Sequence, residues 1–322
     1  MVRRSVSTSS QVQELVMTNM IAVARQVAVV REAVTAGHLA ELARQALVAE
    51  AELTPKPGLV DRRGSGSHDD LSLDLMRRSA SAIAPYFADM AARSQTSPSG
   101  LVLRTEVAVI GRTAEIAMLQ ATNGSNSHKG AIWILGLLVT VAGRRMNLNP
   151  EAIARDAGFL ARLPDRARPQ LVTHGDVVKA RYRAMGARGE AYSGFPHVVH
   201  VGLPVLRAAR SRGCSETNSR LFALLSIMAH LEDTCVLYRG GTEGLATVQK
   251  GAAKVLMVGG PGSLTGGKAM RRLDEELSTR RVSPGGSADL LAATLFLDAL
   301  ERGQCGVEED NSPSEEGIHG AN

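Results

Sequence analysis

Charged residues and glycines gather in four short segments between apolar stretches, and the first segment carries a lysine between two prolines. It reads TPKPGLVD over residues 54–61 and is followed by GSHDD over residues 66–70. Two prolines in three residues exclude a helix and hold Lys56 on a stiff extended chain, which lowers the entropy lost when it contacts an anion. His68 and the two acids after it precede a predicted helix, where the helix dipole favours acids. An ordinary loop that caps a helix would contain the same residues, so both interpretations stay open.

The second segment, NGSNSHKG, comes directly before the strongly apolar stretch AIWILGLL. A helix that is apolar on all sides is buried, so its first turn must face the interior or the floor of a cleft, with Asn126 or Ser127 as the N-cap. His128 and Lys129 would place positive charge at the positive end of the helix dipole, which is sensible where an anion binds. The segment therefore predicts part of a phosphate site. The alternative is that Lys129 extends into solvent.

The third segment contains histidine, arginine and glutamate among glycines. It comprises THGD, GARGEA and GFP between residues 173 and 196. Glycines next to Arg188 and Glu190 permit close approach of the backbone to a ligand. His174 and His197 fit packing or surface positions as well, and we expect such a position for His197.

Carboxylates stand where two apolar helix faces end. Glu232 and Asp233 follow a helix with leucines along one face, and Glu50 takes the next position on the apolar face of a helix over residues 39–50. Such carboxylates are costly unless they are paired or bind a metal. Arg239, in the same fourth segment, could pair with the acids at 232 and 233. Alternatively, the acids hold Mg²⁺ while Arg239 binds phosphate through two hydrogen bonds.

A glycine-rich string near the C-terminus imitates a phosphate-binding P-loop. Residues 262–268 read GSLTGGK, but the next residue is Ala269, so the hydroxyl that would ligate Mg²⁺ is missing. A P-loop also follows a strand, and only residues 255–258 offer one. We therefore assign no nucleotide binding to this string.

The elements that must position these segments are helices. Ala, Leu and Val dominate an apolar content of 44%, which favours an all-α protein. We find no series of alternating strands and no internal repeat. Pro85 and Pro204 are expected to kink or split two helices. Besides the helix over 39–50, the predicted helices cover residues 71–93, 101–121, 130–143, 171–185, 198–211, 219–231, 245–258 and 287–302.

This pattern predicts a single globular multi-helix domain over residues 36–303, with an active site built from loops at helix ends. Residues 1–35 are expected to be an N-terminal extension, partly disordered or helical over 12–35. Residues 304–322 form an acidic, polar tail that we expect to be disordered. The Arg- and Ser-rich start resembles a transit peptide faintly, and a disordered start is the preferred interpretation.

Composition argues against several classes of function. The net charge of +5 permits nucleic-acid binding, but lysines and arginines are scattered and aromatic residues make up only 3%, so no stacking platform accompanies them. An anionic small substrate explains the charge equally well. No apolar run reaches the ~18–20 residues of a membrane span. The three cysteines, Cys214, Cys235 and Cys305, stand far apart, which favours a reduced cytoplasm.

Taken together, the segments resemble the triphosphoribosyl-dephospho-CoA synthase family. Two departures are Ser127, where the family commonly has threonine, and Cys235, where it often has asparagine; the second weakens any ligand contact at that position. The extension before residue 36 is not covered. The matching strings are TPKPGLVD (54–61), GSH (66–68), SHKG (127–130), THG (173–175), GEA (189–191), GFP (194–196), DT (233–234), RGG (239–241) and SPGGSADL (283–290).

The resemblance implies an all-α, ATP-dependent transferase. Adenine is displaced from ATP, and the 5-triphosphoribosyl unit moves to the 2'-hydroxyl of 3'-dephospho-CoA. The product is the precursor of the prosthetic group on the acyl carrier protein of malonate decarboxylase or citrate lyase, and an Ala/Arg-rich composition favours malonate decarboxylase. Mg²⁺ is expected with the triphosphate, and a homo-oligomer is possible.

The implied chemistry distributes roles among the candidate residues. Breaking an N-glycosidic bond builds oxocarbenium character that a carboxylate stabilises, and acid or base assistance contributes ~100- to 10,000-fold each. Nucleotide and phosphate binding is assigned to Lys56, Ser127, His128, Lys129, Arg188, Arg239 and Gly240. Catalysis is assigned to Asp61, His68, His174, Glu190 and Asp233, and Mg²⁺ binding to Glu50, Asp61 and Asp233.

Two other hypotheses stay open at this point. A P-loop or other kinase would release ADP, whereas the synthase releases free adenine. A basic helical module that binds nucleic acid would show salt-sensitive binding, but it offers no reason for acids and histidines at helix ends.

Overall fold

A computed structural model describes residues 35–145, 147–167 and 174–309, without the side chains of residues 174, 175 and 304–309. The helix predicted over residues 12–35 lies outside the described residues, apart from the last of them. The division into extension, catalytic domain and tail stays a prediction. The described helices from Ala36 onward belong to one compact unit.

The described residues form twelve α-helices and one π-helical segment, with no strand among them. The all-α prediction is therefore confirmed. Asp61 and Gly64 form one isolated β-bridge in the loop after the first helix. The helices are α1 (Ala36–Glu52), α2 (Leu73–Thr96), α3 (Gly100–Ala121), α4 (Lys129–Ala142), α5 (Pro150–Arg162), α6 (His174–Tyr182), α7 (Gly186–Tyr192), the π-helical segment (His197–Gly202), α8 (Leu203–Ser211), α9 (Glu216–His230), α10 (Thr234–Met257), α11 (Leu264–Thr279) and α12 (Gly285–Glu309).

Helix starts follow local capping chemistry. Ser72 and Ser99 accept hydrogen bonds from backbone N–H groups in the first turns of α2 and α3, which satisfies donors that have no partner within the helix. Asn149 caps α5, and Pro150 occupies its first position, where a proline costs no hydrogen bond. Sequence patterns alone missed α5 because half of its buried face is alanine and glycine.

The predicted helix over 171–185 corresponds to α6, which ends at Tyr182, and α7 was missed. Three later helices also differ from the prediction. α10 begins at Thr234 rather than at 245, and it contains one non-helical residue, Gly241, with φ 61° and ψ −159°. The RGG string is therefore a break within a helix and not a loop. α11 was missed because its first turn carries the string that imitates a P-loop; Ser263 caps it. α12 continues to Glu309, past the predicted end at 302.

The structure also shows where Pro85, Pro204 and the residues before the P-loop string lie relative to the helices. Pro85 lies inside the continuous helix α2, so that helix is not split. Pro204 stands in the first turn of α8, directly after the π-helical segment. Residues 255–258 belong to the end of α10 and its cap, so the strand that a P-loop needs is absent from this described part of the chain.

The apolar helix α4 is buried along most of its length. It packs against α1, α2, α3, α5 and α12, while α12 also packs against α1 and α9. This arrangement brings the N-terminal ends of α4, α10 and α12 together with the loop that joins α1 and α2. Two long-range hydrogen bonds, Asp233 to Ser287 and His68 to Ser283, hold that meeting point.

Within the described residues, no single helix is both long and apolar enough to cross a membrane. The pair Glu216–His230 and Thr234–Met257, bent by 62° at its break, meets the length and composition criteria only when taken together.

Candidate active site

The first turn of α4 is closed by a carboxylate from α12. Asp289 accepts a hydrogen bond from the backbone N–H of Ala131, and a Cβ atom at Gly130 would collide with its Oδ2. The glycine of the SHKG string is therefore required by Asp289 itself.

Asp289 was not among the predicted site residues, although it lies in the family-like string SPGGSADL. Part of the residue is accessible to solvent, yet burial of its carboxyl group raises its pKa well above the ordinary value, and the charges of Glu50 and Asp233 add to the rise. A carboxyl group in these surroundings retains its proton toward neutral pH. The available sequence pattern was a lone acid at the start of an otherwise apolar helix.

His128 lies at the N-cap position of α4, where it is buried and uncharged. Burial, with a smaller contribution from the charge of Lys56, lowers the pKa of His128 to about 4. The expectation of a positive charge on this residue is therefore wrong near neutral pH. Its Nδ1 lies 2.7 Å from Ser79 Oγ, and Ser127 Oγ donates to the same serine oxygen over 2.7 Å. The Nε2 atom has no hydrogen-bond partner.

Lys129 has partners within the protein. Its ammonium group lies 2.9 Å from a carboxylate oxygen of Glu115 on α3, and its side chain is half exposed. Its backbone N–H donates to Asn126 Oδ1 over 3.2 Å. The N-cap residue of α4 is His128, whose side chain forms no capping hydrogen bond, so the prediction of Asn126 or Ser127 as the N-cap is wrong. The charge that suggested a substrate anion is thus answered by Glu115. Phosphate binding by Lys129 stays a prediction.

Lys56 is buried in an ion pair instead of lying free on an extended segment. Its Nζ lies 2.5 Å from Glu50 Oε1 and donates to the Glu50 carbonyl oxygen over 2.6 Å. Both side chains are almost inaccessible, at 1% for Lys56 and 4% for Glu50. The TPKPGLVD segment is closed by Asp61, which accepts from the Lys56 N–H (2.9 Å) and pairs with Arg63 (2.7 Å).

His68 and Arg239 meet at the rim of this region. His68 Nε2 lies 2.9 Å from Ser283 Oγ, and its Nδ1 lies 3.4 Å from Arg239 Nη2. Burial and the charge of Arg239 lower the pKa of His68, with Asp70 opposing. Arg239 is exposed and forms no ion pair with a carboxylate within the described ranges. It therefore does not pair with the acids at 232 and 233.

Asp233 accepts hydrogen bonds from the starts of two helices. It caps α10 by accepting from Cys235 N and Val236 N, and its oxygens also accept from Gly286 N, Ser287 N and Ser287 Oγ at 3.3, 2.8 and 3.0 Å. Burial raises the pKa of Asp233, and the hydrogen bonds from Ser287 oppose that rise. Its carboxylate joins the start of α10 to the start of α12.

The third segment forms its own contacts. Glu190 accepts from His197 N and pairs with His197 Nδ1, both over 2.8 Å, and this hydrogen bond raises the pKa of His197. Arg188 lies 3.9 Å from Asp176. α6 begins at His174, whose side chain lies outside the described residues.

The remaining predicted residues have packing explanations. A Cβ at Gly240 would lie 2.6 Å from Val282 Cγ2, so close packing against the loop between α11 and α12 explains this glycine without a ligand. Among the residues described, no group of three His, Cys, Asp or Glu side chains is placed to hold a metal ion. The three expected Mg²⁺ ligands, Glu50, Asp61 and Asp233, are each committed to other partners.

The chain matches known proteins over most of its length. Residues 36–307 match the family model described as CitG: ATP:dephospho-CoA triphosphoribosyl transferase. Three relatives carry the name probable 2-(5''-triphosphoribosyl)-3'-dephosphocoenzyme-A synthase. They come from Azotobacter vinelandii (52% identity; 83% of this chain and 92% of the relative covered), Pseudomonas fluorescens strain Pf0-1 (52%; 83% and 93%) and Stutzerimonas stutzeri (53%; 82% and 92%).

No solved structure matches the chain. The family match spans more than four fifths of the sequence and includes every one of the matching strings that led to the resemblance. The chain therefore belongs to the ATP:dephospho-CoA triphosphoribosyl transferase family.

Proposed function

We propose that the family reaction takes place at the side chains where the starts of α4, α10 and α12 meet. This helix-end group is defined as Asp289, His128, His68 and Arg239. Asp289 and Arg239 both lie near the Cys235 thiol, and Arg239 lies beside His68, so the members surround one region. The observation that carries the proposal is the contact of Asp289, whose pKa is raised, with the first turn of α4. The N-cap of that helix, His128, is neutral and has an unpartnered nitrogen.

The reaction replaces one bond at the ribose C1' of ATP with another. The bond from C1' to the adenine nitrogen breaks, and a bond from C1' to the 2'-oxygen of 3'-dephospho-CoA forms. Adenine leaves with a proton, and the attacking hydroxyl gives one up. A carboxyl group that starts protonated supplies the first proton and, as a carboxylate, accepts the second, so Asp289 returns to its starting state. Such acid assistance is worth ~100- to 10,000-fold.

The carboxylate formed by that proton transfer also suits the transition state. Positive charge develops at C1' as the glycosidic bond breaks, and a nearby anion stabilises it. The start of α12 therefore supplies an acid before bond cleavage and a negative charge during it. Asp289 is the one member of the helix-end group that can do both.

His128 and Arg239 are suited to binding. Ser127 Oγ donates to Ser79 Oγ, and we assign Ser79 as the donor to His128 Nδ1 over 2.7 Å. This assignment places the ring proton on Nε2, since an imidazole nitrogen that accepts leaves the proton on the other. This N–H then donates to a substrate atom. Arg239 is exposed and lacks a carboxylate partner among the described side chains, so its guanidinium is available to the triphosphate.

The described carboxylates do not fit a preformed Mg²⁺ site, because the three expected ligands are committed elsewhere. We propose that Mg²⁺ enters bound to the triphosphate, since this ion is commonly held by one or two carboxylates plus substrate phosphates. No proton transfer described above depends on it. Removing the ion with EDTA should raise the KM for ATP and leave folding unchanged.

Product analysis tests the reaction itself. Purified protein is incubated with ATP, Mg²⁺ and 3'-dephospho-CoA, and the mixture is separated by chromatography with mass detection. We expect free adenine and the triphosphoribosyl adduct in equal amounts. ADP without adenine would support the kinase hypothesis and overturn the proposal.

The role of Asp289 is tested by Asp289→Asn, with Glu301→Gln on the same helix as the matched control. Loss of the acid should lower kcat by ~100-fold or more, while the control keeps the wild-type rate. In the wild type, kcat should fall as pH rises through the raised pKa of Asp289, and this fall should be absent from the residual activity of the asparagine variant. Wild-type kcat in a folded Asp289→Asn protein would refute the role.

The use of the product is a separate proposal. The Ala/Arg-rich composition favours the acyl carrier protein of malonate decarboxylase over that of citrate lyase. Supplying the product to each apo-carrier with its own attachment enzyme would decide between them. A cytoplasmic location and a homo-oligomer stay predictions.

A further inference from the structure

A buried arginine on α3 has two nitrogen atoms without a hydrogen-bond partner. Arg104 is 6% exposed, and its Nε and Nη1 atoms have no hydrogen-bond partner. Burying a guanidinium without hydrogen bonds is costly, and removal from water is normally repaid by an anion. The fold has therefore placed a positive charge where a partner is missing.

The acid that most strongly attracts Arg104, Asp165, already forms an ion pair with another arginine. Asp165 attracts the guanidinium, but its Oδ2 lies 2.7 Å from Arg112 Nη1. Arg112 and Arg188 also act on Arg104 and oppose its charge. Two further guanidinium groups thus act on Arg104 beside the attraction of Asp165 and Tyr192, and an anion entering there would meet all three guanidinium groups.

The aromatic contact of Arg104 does not satisfy its N–H groups. The guanidinium carbon lies 4.8 Å from the centre of the Trp133 ring. Such stacking uses the face of the planar guanidinium, whereas its hydrogen bonds lie in the plane. Trp133 therefore orients Arg104 and leaves the N–H groups along its edge unpaired. The indole Nε1 donates to Ala187 O over 3.2 Å, which fixes the ring against α7.

This location is continuous with the helix-end group. Trp133 follows Gly130 by three residues on α4, about 4.5 Å along the helix axis, and Gly130 is the residue against which Asp289 lies. Ala187, which holds the indole, directly precedes Arg188. One helix thus connects the proposed acid to the unpartnered arginine.

We propose that Arg104, stacked on Trp133 and assisted by Arg188, binds a phosphate group of one of the two substrates. The proposal rests on the proposed function for the identity of the ligand, and both substrates carry phosphates. Either the triphosphate of ATP or the diphosphate of 3'-dephospho-CoA would supply the oxyanion, and hydrogen bonds from a charged donor would hold it.

Binding measurements on the full chain separate these sources. Arg104→Met removes the charge and the N–H donors but keeps an unbranched side chain over Trp133. The matched control is Arg162→Met, because Arg162 also stacks on an aromatic ring, Phe159, at 4.8 Å, and its guanidinium donates to the Tyr192 carbonyl. Calorimetric titration with ATP and, separately, with 3'-dephospho-CoA gives each Kd.

Arg104→Met should raise the Kd of one substrate by about 10- to 100-fold, and the control should leave both unchanged. The substrate that loses affinity identifies the source of the phosphate. Inorganic pyrophosphate should raise the Tm of the wild type and of Arg162→Met but not of Arg104→Met. Arg104→Lys, which keeps charge but loses the planar donors, should lie between.

A structural role predicts the opposite pattern. If Arg104 only supports packing, Arg104→Met lowers the Tm and leaves both Kd values unchanged, and the proposal is overturned. Because the readout is binding and not turnover, it is independent of adenine release. A wild type that releases adenine but shows no affinity change in Arg104→Met would refute this site alone.

Discussion

The ion pair between Lys56 and Glu50 gives a sharp test of the energetics around the helix-end group. Its two charges are 2.5 Å apart, and the side chains are 1% and 4% exposed. Removing one partner leaves the other charge buried without compensation, which costs about 3–5 kcal/mol. We expect losses of that size for Glu50→Gln and for Lys56→Met. The double variant leaves no buried charge, so it should lose far less than the sum.

The measurement is urea unfolding at neutral pH, followed by circular dichroism, with equal m values as the condition for comparison. The control cycle uses Glu41→Gln and Arg44→Met, a pair on the same helix at 2.6 Å whose side chains are 45% and 32% exposed. That exposed pair should couple by less than about 1 kcal/mol. A coupling this small for Lys56 and Glu50 would refute the reasoning. The stable double variant can then be assayed with ATP, which separates folding from phosphate binding.

Three further predictions concern single positions. Because the folded-state pKa of His128 is about 4 against an ordinary 6.5, the unfolded chain takes up the proton first as pH falls, so stability should drop by about 3 kcal/mol between those values. His128→Gln should flatten this drop in urea midpoints, and an unchanged slope would contradict the assignment. Asp233→Ala should lower the free energy of unfolding by about 3 kcal/mol or more, whereas Ser72→Ala, which removes a cap with one hydrogen bond, should lower it by about 1 kcal/mol. Equal losses would contradict the connecting role of Asp233. Gly66→Ala should lower the free energy of unfolding by about 1–2 kcal/mol or more, because Gly66 has a φ of 58° and a Cβ there would collide with Leu59 O. At Gly37 an added Cβ meets no atom within 4 Å, so Gly37→Ala should cause no such loss. Thermal unfolding of both variants tests this difference.

Much of the fold could be predicted because the cues are local. Apolar spacing and composition identified the all-α class, and the proline pair correctly ended α1 near residue 52. The exceptions have physical reasons. α5 buries small residues that give a weak pattern, and α10 tolerates a glycine break at Gly241 that the sequence presents as a turn.

The site was harder to predict because partners come from distant positions. The charge of Lys129 suggested a substrate anion, but Glu115 on the preceding helix supplies the counter-charge. The ionisation of His128 depends on its burial, which no local string reveals. Asp289 stayed hidden because its role comes from contact with a helix start elsewhere in the chain. The family strings by themselves do not distinguish structural from chemical residues.

The contact between Asp289 and the start of α4 also has a consequence for biogenesis. α12 is the last described helix, and it joins residues far back along the chain; His68 and Ser283, for example, are 215 positions apart. Closing so long a loop is slow relative to forming local helices. A ribosome-bound chain from which α12 and the residues just before it have not yet emerged would lack Asp289, Ser283 and the groups that bind Asp233. If Asp289 has the role proposed above, such a nascent chain would not release adenine, so adenine release would report that α12 has reached its place against α4.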